Sequence, residues 1–297
     1  MIVSAASVDV DEVADHYDRL NEFYLEVWGE HRHHAYWETG KESATEAIEL
    51  MMQRIWRAVD LSTGGRVVDV GCGSGGLARI FAQQCGAEVV GYTVSAEERE
   101  CAEKSSETLQ QGSAVFFCRD WLQNDVPDQW ADAVVLIESF SHLKNRGQVL
   151  AEVARVLKPG GRLLLADWVA APDVSQWKVK FLLQPMCRGG RLTGLNSMTE
   201  NLELIEGGGL KCLEASDITS AVKKTWWVIA YRLMKKVLSE AKYRALLWRS
   251  LREDRDTFFA IPRVMLAYQS GCLNYGWILA QKGGCDQVKS EADEGHE

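Results

Sequence analysis

The sequence predicts an α/β fold, with a mostly parallel sheet of about seven strands and helices on both faces of that sheet. Short apolar runs alternate with segments of helical periodicity from about residue 66 onward, which is typical of parallel strands joined by crossover helices. The apolar runs are nearly continuous, as expected for strands that are covered on both faces. A glycine cluster directly follows the first run, at a position where folds of this class bind ligands.

The predicted elements alternate through the middle of the chain. Strands are predicted at 66–70, 87–92, 114–118, 131–137 and 161–168, and the helices between them at 75–84, 96–110 and 148–157. Two helices are predicted before the first strand, at 9–28 and 42–58. After the fifth strand we expect an irregular insertion at 172–195, a helix at 198–206, a strand at 210–217, a long basic helix from about 222, and a closing strand at 273–281.

Composition and charge narrow the functional classes. The net charge of −9 argues against nucleic acid as a partner, because its phosphates would repel an acidic surface. No apolar run approaches the ~20 residues of a membrane span, and the acidic N-terminus lacks the pattern of a signal peptide. The eight cysteines show no CxxC or zinc-like spacing, so neither a metal site nor a disulfide framework is predicted. We therefore expect a cytoplasmic protein.

The strongest motif is the glycine cluster in VVDVGCGSGG, residues 67–76. Glycines permit a tight turn and a close approach of a ligand to the backbone, and the amides at the start of the next helix favour an anionic group. A second motif, LKPGG at 157–161, directly precedes the fifth strand. A nicotinamide site and a glycine turn without a ligand are the alternatives for the cluster.

Together the two motifs resemble those of the Rossmann-like class I S-adenosylmethionine-dependent methyltransferases, whose first motif reads D/E-x-G-x-G-x-G. The resemblance implies that S-adenosyl-L-methionine is the cofactor. It also implies that the cofactor is bound by the loop residues Asp69, Gly71, Cys72, Gly73 and Gly75.

The second strand ends in GYTVS and lacks the acid that often binds the cofactor ribose in this class. The segment resembles the GxTxS sequence of gamma-tocopherol methyltransferases, sarcosine/dimethylglycine methyltransferases and mycolic acid cyclopropane synthases. In those families a glutamine five residues after the threonine helps to hold the ribose, which implies that Thr93 and Glu98 do so here. Val94, next to Thr93, is also predicted to contact the cofactor. A carboxylate suits this role because it accepts two hydrogen bonds. An acid that only offsets the helix dipole is the alternative for Glu98.

The segment RDWLQ follows the third strand, where the class recognises adenine. The resemblance implies that Asp120 accepts a hydrogen bond from the adenine amino group and that Trp121 lies over the ring. Packing in the protein core is the alternative for Trp121. Ile137, at the end of the fourth strand, completes the predicted cofactor contacts on this side.

A candidate transfer site lies where the fourth and fifth strands end. The segment IESFSHL provides Glu138 and His142, and LLLADW places Asp167 at the end of the neighbouring strand. A carboxylate beside a histidine orients the ring and raises its basicity, so we expect His142 and Asp167 to act as a general base pair with a pH limb near 6–7.5. These segments resemble the active sites of sugar O-methyltransferases of indolocarbazole biosynthesis and of the tocopherol group. A helix-capping role is the alternative for His142.

The N-terminal segment VWGEHRHHAYW, residues 27–37, resembles the part of the same families that covers the sulfonium and methyl groups. The match implies that His33 lies at this cover, and that Tyr17, within a Tyr–Asp pair, lines it. Three histidines within four residues also suggest a metal, but no cysteine or acid lies at ligand spacing, so no metal is predicted.

Residues 223–252 carry nine Lys or Arg residues and one acid. Their apolar positions recur at helical spacing, which predicts one amphipathic helix with its basic residues largely on the other face. Three alternatives remain for the basic face: solvent, peripheral contact with a membrane, and an anionic substrate group.

These observations predict a single methyltransferase domain over residues 1–297. Within it we expect an N-terminal helical cap at 1–60, a cofactor-binding core at 61–171, a substrate cap with the closing strands at 172–282, and a flexible tail at 283–297. The predicted function is methyl transfer to carbon, nitrogen or oxygen of a small molecule, such as a phenolic, prenyl-lipid or natural-product acceptor. Cyclopropane-type lipid alkylation and non-catalytic S-adenosylmethionine binding are the alternatives, and the sequence leaves the oligomeric state open.

Overall fold

The computed structural model describes residues 3–4, 8–29 and 31–283. Its strands are β1 (Val3–Ser4), β2 (Arg66–Val70), β3 (Glu88–Thr93), β4 (Ser113–Cys118), β5 (Ala131–Ile137), β6 (Leu157–Ala170), β7 (Gly194–Leu195), β8 (Leu210–Asp217) and β9 (Leu273–Lys282). Seven of them form one sheet in the order β4–β3–β2–β5–β6–β9–β8, and β1 pairs with β7. The strands from β4 to β6 are parallel, whereas β9 runs antiparallel to both β6 and β8. The predicted fold class is confirmed.

Helices surround this sheet. They are α1 (Val10–Val27), α2 (Ala44–Val59), α3 (Gly76–Cys85), α4 (Ala96–Ser106), α5 (Arg146–Val156), α6 (Gln176–Lys178), α7 (Gln184–Gly189), α8 (Met198–Gly207), α9 (Thr219–Val222), α10 (Thr225–Ser239), α11 (Ala241–Glu253), α12 (Arg255–Phe258) and α13 (Ala260–Gln269). One buried apolar cluster joins the sheet to α2 and α3, and a second joins it to α5 and α8. Each face of the sheet is therefore covered by helices.

The order of the strands fixes the position of the functional cleft. The chain leaves β2 to form β3 and β4 on one side, and then returns to form β5 on the other side of β2. The connections after β2 and β5 therefore diverge, and a crevice opens at the carboxyl ends of these two strands. Gly71 directly follows β2 and Glu138 directly follows β5, so both lie at this crevice.

A helical cap packs over the carboxyl ends of the strands. Residues from α1, α7, α10 and α13 form a third apolar cluster, which includes Val27, Met186, Trp226 and Val264. Trp168 at the end of β6 packs against the same cluster. Residues far apart in the sequence thus enclose one apolar volume above the sheet.

The expectation of an irregular segment at 172–195 is wrong. Helix α6, a π-helix at Val179–Leu183 and helix α7 occupy most of it. Pro185 lies in the first turn of α7, where a helix tolerates a missing amide hydrogen. Leu183 and Cys187, four residues apart, are fully buried, so tertiary packing stabilises these short helices.

The prediction of one helix over 223–252 is also wrong. Glu240 has extended backbone angles and separates α10 from α11. Lys236 and Lys242 do not simply extend into solvent. Both bind the carboxylate of Glu26 in α1, and Lys242 also binds Glu22. Part of the basic face therefore anchors the cap to the N-terminal helix. The predicted tail at 283–297 lies outside the described residues except for its first glycine.

Candidate active site

Two adjoining cavities lie above the carboxyl ends of the strands. The first, of about 260 Å³, is lined by the glycine loop and by the ends of β3, β4 and β5. The second, of about 160 Å³, lies between the strand ends and the cap. Four residues line both cavities and mark their junction: Tyr17, Arg32, Glu138 and His142.

Most of the predicted cofactor residues line the first cavity. They are Tyr17, Asp69, Gly71, Cys72, Gly73, Thr93, Val94, Glu98, Asp120, Trp121 and Ile137. Three predicted catalytic residues line it as well: His33, Glu138 and His142. Gly75 does not, and Asp167 lines only the second cavity. The structure thus brings together residues from the N-terminal segment and from four strand ends.

The three glycines of the loop have different physical roles. Gly71, Gly73 and Gly75 all have positive φ, which favours glycine. A Cβ atom on Gly71 would overlap Ser139, and a Cβ on Gly75 would lie 2.8 Å from Phe116, so these two glycines permit close packing. A Cβ on Gly73 would meet only the Glu98 carboxylate, at 3.8 Å. Gly73 therefore leaves space in the cavity for a ligand.

Buried polar atoms at the loop also fit a polar ligand. One carboxylate oxygen of Asp69 and the hydroxyl of Ser74 are buried and have no hydrogen-bond partner among the described residues. Burial raises the pKa of Asp69 to about 7. A cationic group beside Asp69 would supply the missing partner and lower this pKa. These residues fit S-adenosylmethionine, which carries an ammonium group on its methionine part.

Glu98 is buried at the predicted ribose position, and both of its oxygens already have partners. The Thr93 hydroxyl donates to Oε2 at 2.8 Å, and Arg32 binds Oε1 at 2.7 Å. Burial raises the pKa of Glu98 despite the nearby guanidinium. Arg32 was not predicted as a site residue, although it lies within the N-terminal motif that contains His33.

We predict that Glu98→Ala weakens binding of S-adenosylmethionine by about 1–3 kcal/mol, as expected for the loss of charge-assisted hydrogen bonds. Glu98→Gln is the milder change, because it keeps one acceptor oxygen toward Thr93 and the ligand. Isothermal titration measures both affinities, and thermal unfolding without ligand measures the separate effect of losing the Arg32–Glu98 ion pair. Unchanged affinity in Glu98→Ala would show that another group binds the ribose.

At the predicted adenine end, Asp120 uses Oδ1 to accept the amide hydrogen of Leu122, at 2.9 Å. Trp121 is only 2% exposed, and its indole nitrogen donates to the Val149 carbonyl at 3.4 Å. Trp121 packs in the apolar core beside Tyr92 while also contributing to the cavity wall. Most of the Trp121 side chain is therefore packed in the core, as the alternative interpretation expected.

His142 lies at the junction of the two cavities with a defined tautomer. Its Nδ1 lies 3.1 Å from the Arg191 carbonyl oxygen, which can only accept, so Nδ1 carries the proton. The other nitrogen, Nε2, is then an acceptor, and the Tyr17 hydroxyl lies 3.1 Å from it. Burial lowers the pKa of His142 to about 4, so the ring is neutral near pH 7.

The predicted hydrogen-bonded pair of His142 and Asp167 is not formed. Asp167 accepts instead from the backbone and hydroxyl of Ser141 and from the Trp168 amide, at 2.7–3.1 Å. A backbone carbonyl and a tyrosine, rather than an acid, therefore orient the histidine. Asp167 holds the turn that carries His142 by binding Ser141, the residue before the histidine. Burial raises the pKa of Asp167 to about 6.

Glu138 is the centre of a buried network that the sequence did not predict. Its Oε1 accepts from the His34 amide at 2.5 Å, from His34 Nδ1 at 2.9 Å and from Tyr275 at 3.0 Å. The Trp226 indole, which can only donate, lies 2.8 Å from His34 Nε2, so the Nδ1 hydrogen of His34 points at Glu138. Burial favours a higher pKa for Glu138, but its interactions with His34 outweigh that effect and lower it. The network joins the N-terminal segment and the cap to the end of β5.

His33 and His34 have different surroundings despite their adjacency. His33 Nδ1 lies 2.9 Å from the His34 carbonyl, and its Nε2 is buried without a partner among the described residues. Burial lowers the pKa of His33. His33 lines only the first cavity, so it lies on the cofactor side. Within the described part of the chain, no three His, Cys, Asp or Glu side chains are grouped so that they could hold a metal ion.

The sheet order, the glycine loop and the cavity at the carboxyl ends of β2 and β5 define a class I S-adenosylmethionine-dependent methyltransferase. The chain belongs to the mycolic acid cyclopropane synthetase family, whose model matches residues 5–242. The resemblance inferred from the glycine loop and from LKPGG is thereby confirmed.

Known relatives agree with this class. The chain is 33% identical over 218 residues to the methyltransferase GfsG of Streptomyces halstedii, covering 72% of this chain and 78% of the relative. It is 25% identical to the chloroplastic tocopherol O-methyltransferase of Arabidopsis thaliana, covering 91% and 81% of the two chains. The cyclopropane synthase MmaA2 from Mycobacterium tuberculosis has the same fold, with a TM-score of 0.81, 19% identity and coverage of 92% and 98%. The chain is accordingly an enzyme that transfers methyl groups from S-adenosylmethionine to small molecules.

Proposed function

We propose that this enzyme methylates a hydroxyl oxygen of a largely apolar small molecule bound in the second cavity. The observation that carries the proposal is the Tyr17–His142 pair at the junction of the two cavities. A neutral imidazole whose Nε2 accepts a hydrogen bond from a hydroxyl group can take up a proton from such a group.

The lining of the second cavity supports an apolar acceptor. Its walls are mostly aliphatic and aromatic side chains from α1 and the cap: Leu20, Phe23, Trp28, Leu233, Leu246, Phe258, Ile261 and Val264. Four polar residues, Tyr17, Arg32, Glu138 and His142, lie where it adjoins the first cavity. Binding sites of this kind use apolar walls for affinity and a few polar groups to fix orientation. We infer that a phenolic ring with an apolar substituent fits this distribution.

When it is bound, S-adenosylmethionine supplies an electrophilic methyl group on its sulfonium. The residues of this chain would hold the acceptor hydroxyl near Nε2 of His142, either in place of the Tyr17 hydroxyl or beside it. His142 would take up the hydroxyl proton at Nε2, while the Arg191 carbonyl keeps the opposite nitrogen protonated. Burial keeps Tyr17 neutral by raising its pKa, so Tyr17 remains a hydrogen-bond donor that orients the pair. The predicted cofactor contacts of Asp69, Gly73, Thr93, Glu98 and Asp120 form part of the same proposal.

A labelled-methyl transfer screen tests this function. The purified chain is incubated with S-adenosylmethionine and with phenols, quinols, tocopherols, small amines and glycosides. We expect label in a phenolic or quinol acceptor with an apolar substituent, and none in small amines. Transfer to small amines alone would contradict the apolar acceptor. A product methylated on carbon would contradict the hydroxyl acceptor and favour the chemistry of cyclopropane-type alkylation.

We also propose a cytoplasmic location, which is supported by the seven described cysteines, since all of them are free thiols. No helix in the described residues is long and apolar enough to cross a membrane. We retain a small molecule rather than nucleic acid as the partner, and a single domain with the boundaries given above. Peripheral membrane contact through 223–252 remains a proposal as well, but its basic face is partly occupied by the ion pairs with α1.

A further inference from the structure

Helix α10 has two apolar faces, and only one of them is buried. Trp226 and Ile229 point into the cap and are 6% and 2% exposed. The opposite face carries large apolar side chains that are all more than half exposed: Trp227, Tyr231, Met234 and Leu238. Their spacing of four, three and four residues places them in one stripe along the helix. A helix that only covered the acceptor cavity would need just the inner face to be apolar.

The neighbouring helices expose similar side chains. Helix α13 packs against α10 and also against the π-helix at Val179–Leu183. Leu266 on α13 is 53% exposed, and Trp177 and Phe181 are 57% and 62% exposed. We call these three residues and the α10 stripe the outer cap face. Exposed apolar groups of this size usually mark a contact surface on a soluble protein.

The segments that form the outer cap face carry more positive than negative charge, although Arg188, Arg191, Lys236 and Arg263 are ion-paired with carboxylates of neighbouring segments. Segments 176–191, 223–239 and 260–271 contain four, five and one Lys or Arg residues and no Asp or Glu, although the whole chain has a net charge of −9. Lys180 lies 5.6 Å from the centre of the Phe181 ring, and Lys235 lies 5.4 Å from that of Tyr231. Each of these two exposed rings thus has an ammonium group beside it.

We infer that the outer cap face docks on a membrane surface that contains anionic lipids. Tryptophan and tyrosine settle at the level of lipid headgroups, and lysines are attracted to anionic headgroups. Protein–protein interfaces, by contrast, are depleted in lysine and enriched in arginine. Because the cations beside the exposed Phe181 and Tyr231 rings are lysines, the surface fits lipid better than a second copy of the chain.

The inference rests on the proposed function in one respect. The inner face of α10 lines the acceptor cavity through Trp226 and Leu233. Docking would therefore bring a wall of that cavity to the membrane, where an apolar acceptor dissolves. Vesicle binding and methyl transfer are measured separately, so failure of one can be distinguished from failure of the other.

Flotation of the full chain with lipid vesicles tests the inference. The vesicles contain phosphatidylcholine alone or an equal mixture with phosphatidylglycerol. One double variant, Trp227→Ala with Tyr231→Ala, removes aromatic anchors, and a second, Lys180→Glu with Lys235→Glu, reverses charges. The matched controls are Trp56→Ala on α2 and Lys211→Glu on β8, which change a partly exposed tryptophan and an exposed lysine outside the outer cap face. Circular dichroism checks that every variant is folded.

We expect the wild-type chain to float with the mixed vesicles and much less with phosphatidylcholine alone. Lys180→Glu with Lys235→Glu should lower the vesicle affinity at least about tenfold, because each lysine near an anionic surface strengthens binding about fivefold and the new carboxylates are repelled. Trp227→Ala with Tyr231→Ala should also lower it about tenfold or more, because two aromatic anchors at the headgroup level are lost. The two control variants should bind as the wild type does. The inference would be overturned if the wild-type chain floated with neither kind of vesicle. A dimer in sedimentation velocity that Trp227→Ala with Tyr231→Ala dissociates, without vesicle binding, would instead assign the face to a second copy.

Discussion

Gly73→Val is expected to abolish measurable binding of S-adenosylmethionine while the fold persists. A valine side chain at this position extends into the first cavity, because a Cβ on Gly73 meets only the Glu98 carboxylate, at 3.8 Å. Micromolar binding corresponds to about −8 kcal/mol, and loss of the space for the ligand removes most of it. Isothermal titration with S-adenosylmethionine and with S-adenosylhomocysteine measures the effect.

Gly86→Val is the matched control for this experiment. Gly86 has a φ of +62°, close to the +52° of Gly73, and no atom lies within 4 Å of its added Cβ. Both substitutions therefore place a β-branched residue in the left-handed region, at similar strain, but only Gly73→Val changes the cavity. Normal binding by Gly73→Val, or equal loss in both variants, would contradict the assignment of the cavity to the cofactor.

His142→Ala is expected to slow methyl transfer by roughly 10²–10⁴-fold, the range for loss of a general base. Affinity for S-adenosylmethionine should change little, since the proposed cofactor contacts lie elsewhere. Tyr17→Phe should have a smaller effect, because it removes the donor that orients Nε2 and leaves the base itself. Full activity of His142→Ala would exclude it as the base.

Asp167→Asn is expected to lower both the rate and the thermal stability, because Asp167 holds the turn through Ser141.

The pH dependence separates this account from the expectation drawn from the sequence. An ordinary histidine predicts an activity limb near pH 6–7.5, whereas burial lowers the pKa of His142 to about 4. Activity should therefore be lost as the pH falls through about 4, when Nε2 becomes protonated. The same depressed pKa gives stability that is present above about pH 6.5 and is lost as the pH falls toward 4. Circular dichroism at each pH distinguishes protonation of the base from unfolding, and a limb at pH 6–7.5 in folded protein would contradict the buried base.

The core of the fold could be predicted because its local and global signals agree. The apolar run at 131–137 has the same bounds as β5, and the glycines after β2 require the turn that the crevice uses. The cap was harder to predict, since its short helices depend on tertiary packing. Helix α10 also has apolar residues on two faces, so its periodicity did not show which face is buried.

The candidate site was predicted as a set of residues but not as a set of contacts. Residues at strand ends converge because parallel strands end at one edge, and this rule located Glu138 and His142 correctly at the crevice. The hydrogen-bond partners of His142 are the Arg191 carbonyl and the Tyr17 hydroxyl, and Tyr17 is 125 positions away in the sequence. A backbone carbonyl leaves no residue-type signal, so the acid at the end of the neighbouring strand, Asp167, was predicted as the partner instead. The link from Glu138 to His34 likewise depends on how the N-terminal segment folds over β5.

The most direct test of the account is the position of the methyl group in the product, determined by mass spectrometry and nuclear magnetic resonance for an acceptor found in the transfer screen. Wild-type protein and His142→Ala are compared in single turnover, with S-adenosylmethionine bound to saturation. We predict a methyl ether on a hydroxyl oxygen, formed roughly 10²–10⁴-fold more slowly by His142→Ala. A methyl group on carbon or nitrogen, formed at the same rate by both proteins, would contradict it.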